Sequence, residues 1–165
     1  MTMRVAAIAL GMLIASAATA GEEATYSARF MTLETATRAA RAALESCRKS
    51  GFQVAVAVVD RTGMAQVLLR DRYAGAHTVD MALDKAWTAA SFRTGTGALA
   101  EATAPGQPMS GIRHRPRVAA VAGGLVIEGA GTLFGAIGVS GAPGGERDDA
   151  CARAGIAAIQ DSLDF

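Results

Sequence analysis

From Gly135 to Ile159 the chain spells one complete change of secondary structure: Gly-Ala-Ile-Gly-Val-Ser-Gly, then Ala-Pro-Gly-Gly, then Glu-Arg-Asp-Asp-Ala-Cys-Ala-Arg-Ala-Gly-Ile-Ala-Ala-Ile. The first part is an apolar strand dotted with glycine, and the Gly/Pro loop breaks it. The last part restarts as a helix whose first turn carries Glu146, Asp148 and Asp149. Acidic groups in that turn offset the positive end of the helix dipole. Any fold for this chain must therefore place a glycine-bearing strand directly before a helix.

The first twenty residues read as a secretory leader rather than as part of the fold. Arg4 gives a positive start, Val5 to Ile14 form a short apolar run, and Ala18-Thr19-Ala20 precedes Gly21 as a cleavage signature. The run is too short to remain as a membrane anchor. The expectation is a periplasmic or secreted protein with a signal peptide at 1–20, a polar lead at 21–31 and one domain at 32–165. Across the sequence 16 Lys and Arg face 15 Asp and Glu. Arg4 belongs to the leader, so the exported chain is balanced and carries no electrostatic case for nucleic acid. Cys47 and Cys151 are the only cysteines. In an oxidising compartment they read as a disulfide between the first and last helices, with two buried thiols as the alternative.

Thr32 is placed to cap a helix that runs to about Ser50 and stops at Gly51. Leu33, Ala36, Ala40, Ala43, Leu44 and Cys47 share one face of it at helical spacing. Gln53 to Asp60 is a nearly continuous apolar, β-branched run and reads as a central strand. Asp60-Arg61-Thr62-Gly63 is turn chemistry, and Met64 to Arg70 returns as the hairpin partner. A helix from about Thr78 to Phe92 carries an apolar stripe of Val79, Leu83, Ala86, Trp87 and Ala90, and a short helix follows at Gly97 to Ala102. Val118 to Ala122, Leu125 to Ile127 and Thr132 to Ser140 read as three further strands, and the last helix as Glu146 to Leu163. The order helix, two strands, helices, three strands, helix with short links specifies one α+β domain. It has a five-stranded antiparallel sheet and the terminal helices on one face.

Three pieces are family-specific. They are Ala55-Val56-Ala57-Val58-Val59-Asp60 with Gly63, Asp84-Lys85-Ala86-Trp87-Thr88-Ala89, and Gly123-Gly124 with Gly135-Ala136-Ile137-Gly138-Val139-Ser140-Gly141. On these the chain resembles the GlcG/HbpS family, over about Thr32 to Leu163. The resemblance implies a profilin-like fold, assembly as a symmetric homo-oligomer, and haem as the ligand. It also implies kinship with a domain fused to PduO-type corrinoid adenosyltransferases.

Beside that resemblance the site residues read as follows. His77 lies where a loop meets a helix, with Asp80, Met81 and Asp84 as its neighbours along the helix. A neutral imidazole suits an axial position on haem iron, and Met81 one turn on is soft and apolar. Tyr73 is a second iron ligand or a hydrogen-bond donor to a propionate. Arg70, Arg72 and Arg93 bring guanidinium groups that match carboxylates. His114 sits in Gly-Ile-Arg-His-Arg-Pro-Arg, a local positive patch. The cofactor set is thus Tyr73, His77, Met81, Arg93 and His114, with His77 as iron ligand, against the plainer reading of a capping histidine and solvated arginines. A divalent metal on His77, Asp80 and Asp84 is another option. Lys85 reads as the partner of a nearby acid, Asp84 or Glu101. The Gly135, Gly138 and Gly141 series lacks the spacing of a phosphate-binding fingerprint, so its glycines read as points of close approach on a strand. Ser140 is one residue short of a nucleophile elbow, and no hydrolase triad is in view. The expectation is a haem-binding protein, with an accessory module for another ligand or a haem- or small-acid-processing enzyme as alternatives.

Overall fold

A computed structural model of the chain describes residues 24–164. The expected leader at 1–20 lies outside the described residues. Thr32 caps the first helix, α1 (Leu33–Lys49), its hydroxyl accepting from Thr35 N–H at 3.2 Å. Ala36, Ala39, Ala40, Ala43, Leu44 and Cys47 are buried on its inner face. Leu33 is not among them and stays 56% exposed. The chain then forms β1 (Ala55–Asp60), β2 (Ala65–Arg70), α2 (His77–Phe92) and α3 (Thr96–Ala102). A 3₁₀ turn at Ser110–His114 leads to β3 (Gly124–Gly129), β4 (Thr132–Ser140) and α4 (Gly145–Ala157), with a final 3₁₀ turn at Gln160–Ser162.

The strands make one antiparallel sheet in the order β2-β1-β4-β3, two hairpins joined by the pairing of β1 with β4. β1 is buried on both faces, and its alternation decides what packs where. Val56 and Val58 join Ile137 and Val139 of β4 against α1 and α4. Ala55, Ala57 and Val59 join Ala136 against Ala82, Ala86 and Ala89 of α2. Large side chains thus face the helix pair, and small ones let α2 lie low on the other face. Gly138 completes that approach: a Cβ there would stand 2.1 Å from the Ala82 carbonyl oxygen. The expected placement of the terminal helices on one face holds, and so does the reading of this glycine.

Three expectations fail. The sheet has four strands, not five, because Val118–Ala122 forms none. Its backbone is engaged by α2 instead: the Thr88 hydroxyl accepts from Ala119 N–H at 3.0 Å and donates to the Arg117 carbonyl at 3.1 Å. Arg117 itself sits at φ 69°, outside strand geometry. The last helix ends at Ala157 rather than Leu163, and the following turns carry Ile159 and Leu163 into the core. The apolar stripe of α2 is also rotated, with Ala82, Ala86 and Ala89 facing the sheet while Val79, Leu83 and Trp87 are half-buried.

The two cysteines are bonded. Cys47 of α1 and Cys151 of α4 form a disulfide with their Cα atoms 5.5 Å apart, inside the range a relaxed bridge needs.

Candidate functional site

The segment entering α2 is held at both ends. Asp71, only 3% exposed, receives Arg48 Nε at 2.7 Å on one carboxylate oxygen and Val54 N–H at 3.2 Å on the other. Arg70 donates to the Ala74 carbonyl. Thr78 turns back on the loop, donating from both its hydroxyl (2.7 Å) and its N–H (3.0 Å) to the Gly75 carbonyl. Between these anchors Tyr73 projects 79% exposed. His77 opens α2 on the surface with its imidazole laid over Gly75. A Cβ on that glycine would stand 2.7 Å from His77 Cε1 and 2.9 Å from Nδ1. Met81, the i+4 neighbour on the same flank of the helix, is 37% exposed. Tyr73, His77 and Met81 therefore share one end of α2, and all three are accessible.

Further along, Asp84 pairs with Arg117 at 3.1 Å, and the Arg117 guanidinium lies 4.8 Å from the centre of the Trp87 ring. That pairing takes Asp84 away from His77. Among the described residues no group of three His, Cys, Asp or Glu side chains is placed to hold a metal ion. The option of a His77–Asp80–Asp84 metal site is therefore not built.

Arg93 ends α2 in the left-handed conformation, φ 51°. The 16-residue helix separates it from His77 by about 24 Å at 1.5 Å per residue. Instead of joining the His77 end, it lines a polar cavity of about 400 Å³ with Arg29, Arg61 and Thr132. His114 is exposed at the end of the Ser110–His114 turn, and no hydrogen bond or ion pair links it to His77. The expected positive patch around it is dispersed. Arg113 turns inward, its Nε 2.6 Å from the Thr103 carbonyl, while Arg117 goes to Asp84.

Lys85 is buried, and its acid is neither Asp84 nor Glu101. Its ammonium donates to Asp148 Oδ2 at 2.8 Å and to the Val139 carbonyl at 2.9 Å. Asp148 also accepts from Ala142 N–H at 3.0 Å, and its neighbour Asp149 accepts from Gly123 N–H at 2.6 Å. Burial pushes the Asp148 carboxyl above its ordinary range, and the Lys85 ammonium offsets part of that. The acidic first turn of α4 thus does more than meet the helix dipole, since it fastens α2, β4 and the Gly123 turn together. A lysine placed among alanines was the signal for a buried pair; its partner lies 63 residues away.

The profile of the family described as haem degrading protein HbpS-like matches residues 31–157. A double mutant of HbpS from Streptomyces reticuli has a crystal structure similar to this chain. Its TM-score is 0.78 at 39% identity, over 88% of this chain and 98% of that one. The crystal structure of a PduOC:heme complex is similar with TM-score 0.76 and 30% identity, over 79% of this chain and 96% of that one. The corrinoid adenosyltransferase PduO of Salmonella typhimurium is 33% identical over 121 residues. That match takes in 72% of this chain but 36% of the enzyme, so the chain spans a minor part of that longer protein.

Proposed function

The chain belongs to the HbpS-like family, and from that premise we propose that it is an exported haem-binding protein in which His77 would hold the iron. The observation that carries the assignment is the solvent-facing imidazole of His77, laid over Gly75 on an anchored loop, with Met81 one turn along and Tyr73 beside it. A haem complex of a similar chain, PduOC, supports the choice of ligand.

The donor set fits the group. Imidazole is a good ligand for haem iron, an exposed thioether packs against a macrocycle, and a phenol serves a propionate. Haem supplies a redox-active iron; what this chain contributes is the site. The hydrogen bonds of Thr78 and Asp71 fix the loop, so His77 presents its ring without a large ordering cost on binding. Arg72, exposed in the same loop, is the cation for a propionate, a role that Arg93, about 24 Å along α2, does not share with it in one copy. The face is open, so a second copy covering the ligand belongs to the proposal, which makes the working form a homo-oligomer with the haem between copies.

Export belongs to the proposal as well. The sequence signature ending at Ala20 supports it, and so does the bonded Cys47–Cys151 pair. Among the described residues no helix is long and apolar enough to cross a membrane. The profilin-like description is the finer form of the fold we propose. The family's description favours one second reading, turnover of the bound haem. Titration of the chain with haemin tests the assignment. A saturable Soret band that persists with reductant and oxygen is expected; its steady loss would favour turnover, and a broad, non-saturating signal would overturn haem as the ligand.

A further inference from the structure

We infer that the far end of the molecule carries a second site, an oxyanion pocket for a small molecule with two or more carboxylate or phosphate groups. The pocket is a polar cavity of about 400 Å³ formed where the lead segment, the β1–β2 turn, the end of α2 and the β3–β4 turn converge. Arg29, Arg61 and Arg93 line it, with the hydroxyl residues Ser27 and Thr132.

Three observations make this more than a solvated patch. First, among the described residues no carboxylate lines the cavity and neither Arg61 nor Arg93 takes part in an ion pair. Asp60, adjacent to Arg61, is turned away: one of its oxygens accepts from Thr62 N–H at 2.7 Å, the Thr62 hydroxyl at 2.6 Å and Met64 N–H at 3.1 Å. Second, the Arg61 and Arg93 guanidinium groups brought to one concavity repel, and a bound anion converts that repulsion into paired forks. Third, Arg93 occupies the left-handed position just after a helix, where glycine is the unstrained choice. A strained arginine held where glycine would sit more easily points to use of its side chain. The volume exceeds what one inorganic oxyanion fills and falls in the range of small-ligand sites. The pocket lies about 24 Å along α2 from His77, so it is independent of the haem assignment.

Calorimetric titration of the full chain at low ionic strength with citrate, pyrophosphate and acetate tests this. Citrate or pyrophosphate is expected to bind saturably at one site per chain and at least about tenfold more tightly than acetate. Which of the two binds better tells a carboxylate ligand from a phosphate one. Arg61→Ala and Arg93→Gly are each expected to weaken that binding by about tenfold or more, as loss of a charged hydrogen-bond partner does. Arg93→Gly should keep or raise the melting temperature, because it relieves the left-handed position. Absence of saturable binding, or affinities that neither substitution changes, would overturn the site.

Discussion

The Asp60 side chain ties down the β1–β2 turn beside two backbone hydrogen bonds, accepting from both donors of Thr62 and from Met64 N–H on a single oxygen. Desolvation pushes its carboxyl up, but the hydrogen bonds from Thr62, Met64 and Gly63 outweigh it, and the net value lies below the ordinary one. Between the folded and unfolded values the native state then binds fewer protons than the unfolded chain. The stability from this group is therefore full above the ordinary carboxylate value and is lost as pH falls through the folded one. Asp60→Asn should cost about 1 kcal/mol near neutral pH, solvent access at the turn trimming the charged hydrogen bonds. The difference from the parent should vanish in acid. Chemical denaturation across pH checks this, and a gap that persists in acid would contradict the assignment. Gly75 matters in another way, since any side chain there displaces the His77 ring.

At the scale of elements, the Lys85–Asp148 pair decides how α2 and α4 meet across the end of the sheet. Lys85→Met should destabilise the fold by about 3–5 kcal/mol, because it leaves a buried carboxylate unpaired. Lys85→Met with Asp148→Leu should recover most of that loss, measured by denaturant unfolding. If the double variant is as weak as the single one, the charge is not what the position requires. This pair also marks where the sequence stops being legible. Local grammar was enough for α1, from the Thr32 cap to the stop at Gly51, and for β4, whose bounds at Thr132 and Ser140 agree with the expectation. Composition was not enough for Val118–Ala122, where apolar residues suggested a strand but Thr88, 31 residues earlier than Ala119, took the backbone groups. The acid for Lys85 was sought nearby, and the fold supplied one from the far side of the sheet. His77, Met81 and Tyr73 could be grouped from sequence because they lie within a few residues on one helix start. The gathering of Arg93 with Arg61 and Arg29 could not, because it depends on four segments converging.

Across the whole molecule, the chain is closed on itself by the Cys47–Cys151 bridge, which spans 104 residues and joins the first helix to the last. Replacing both cysteines by serine should lower stability by about 4–5 kcal/mol, the loop-closure entropy that the bridge removes from the unfolded chain. Thermal melts of the variant against the parent check it, and an unchanged melting temperature would mean that the Ala- and Gly-rich α1–α4 contact suffices alone. With its core closed in this way, the molecule carries its two proposed sites at opposite ends of α2: an accessible imidazole where the helix begins, and clustered guanidinium groups where it finishes. The central claim concerns the first of these. The most direct measurement compares the haemin-titrated Soret spectra of the parent, His77→Ala and His114→Ala chains. The account predicts a sharp saturable band in the parent and in His114→Ala that collapses in His77→Ala. A band that survives loss of His77 would contradict it.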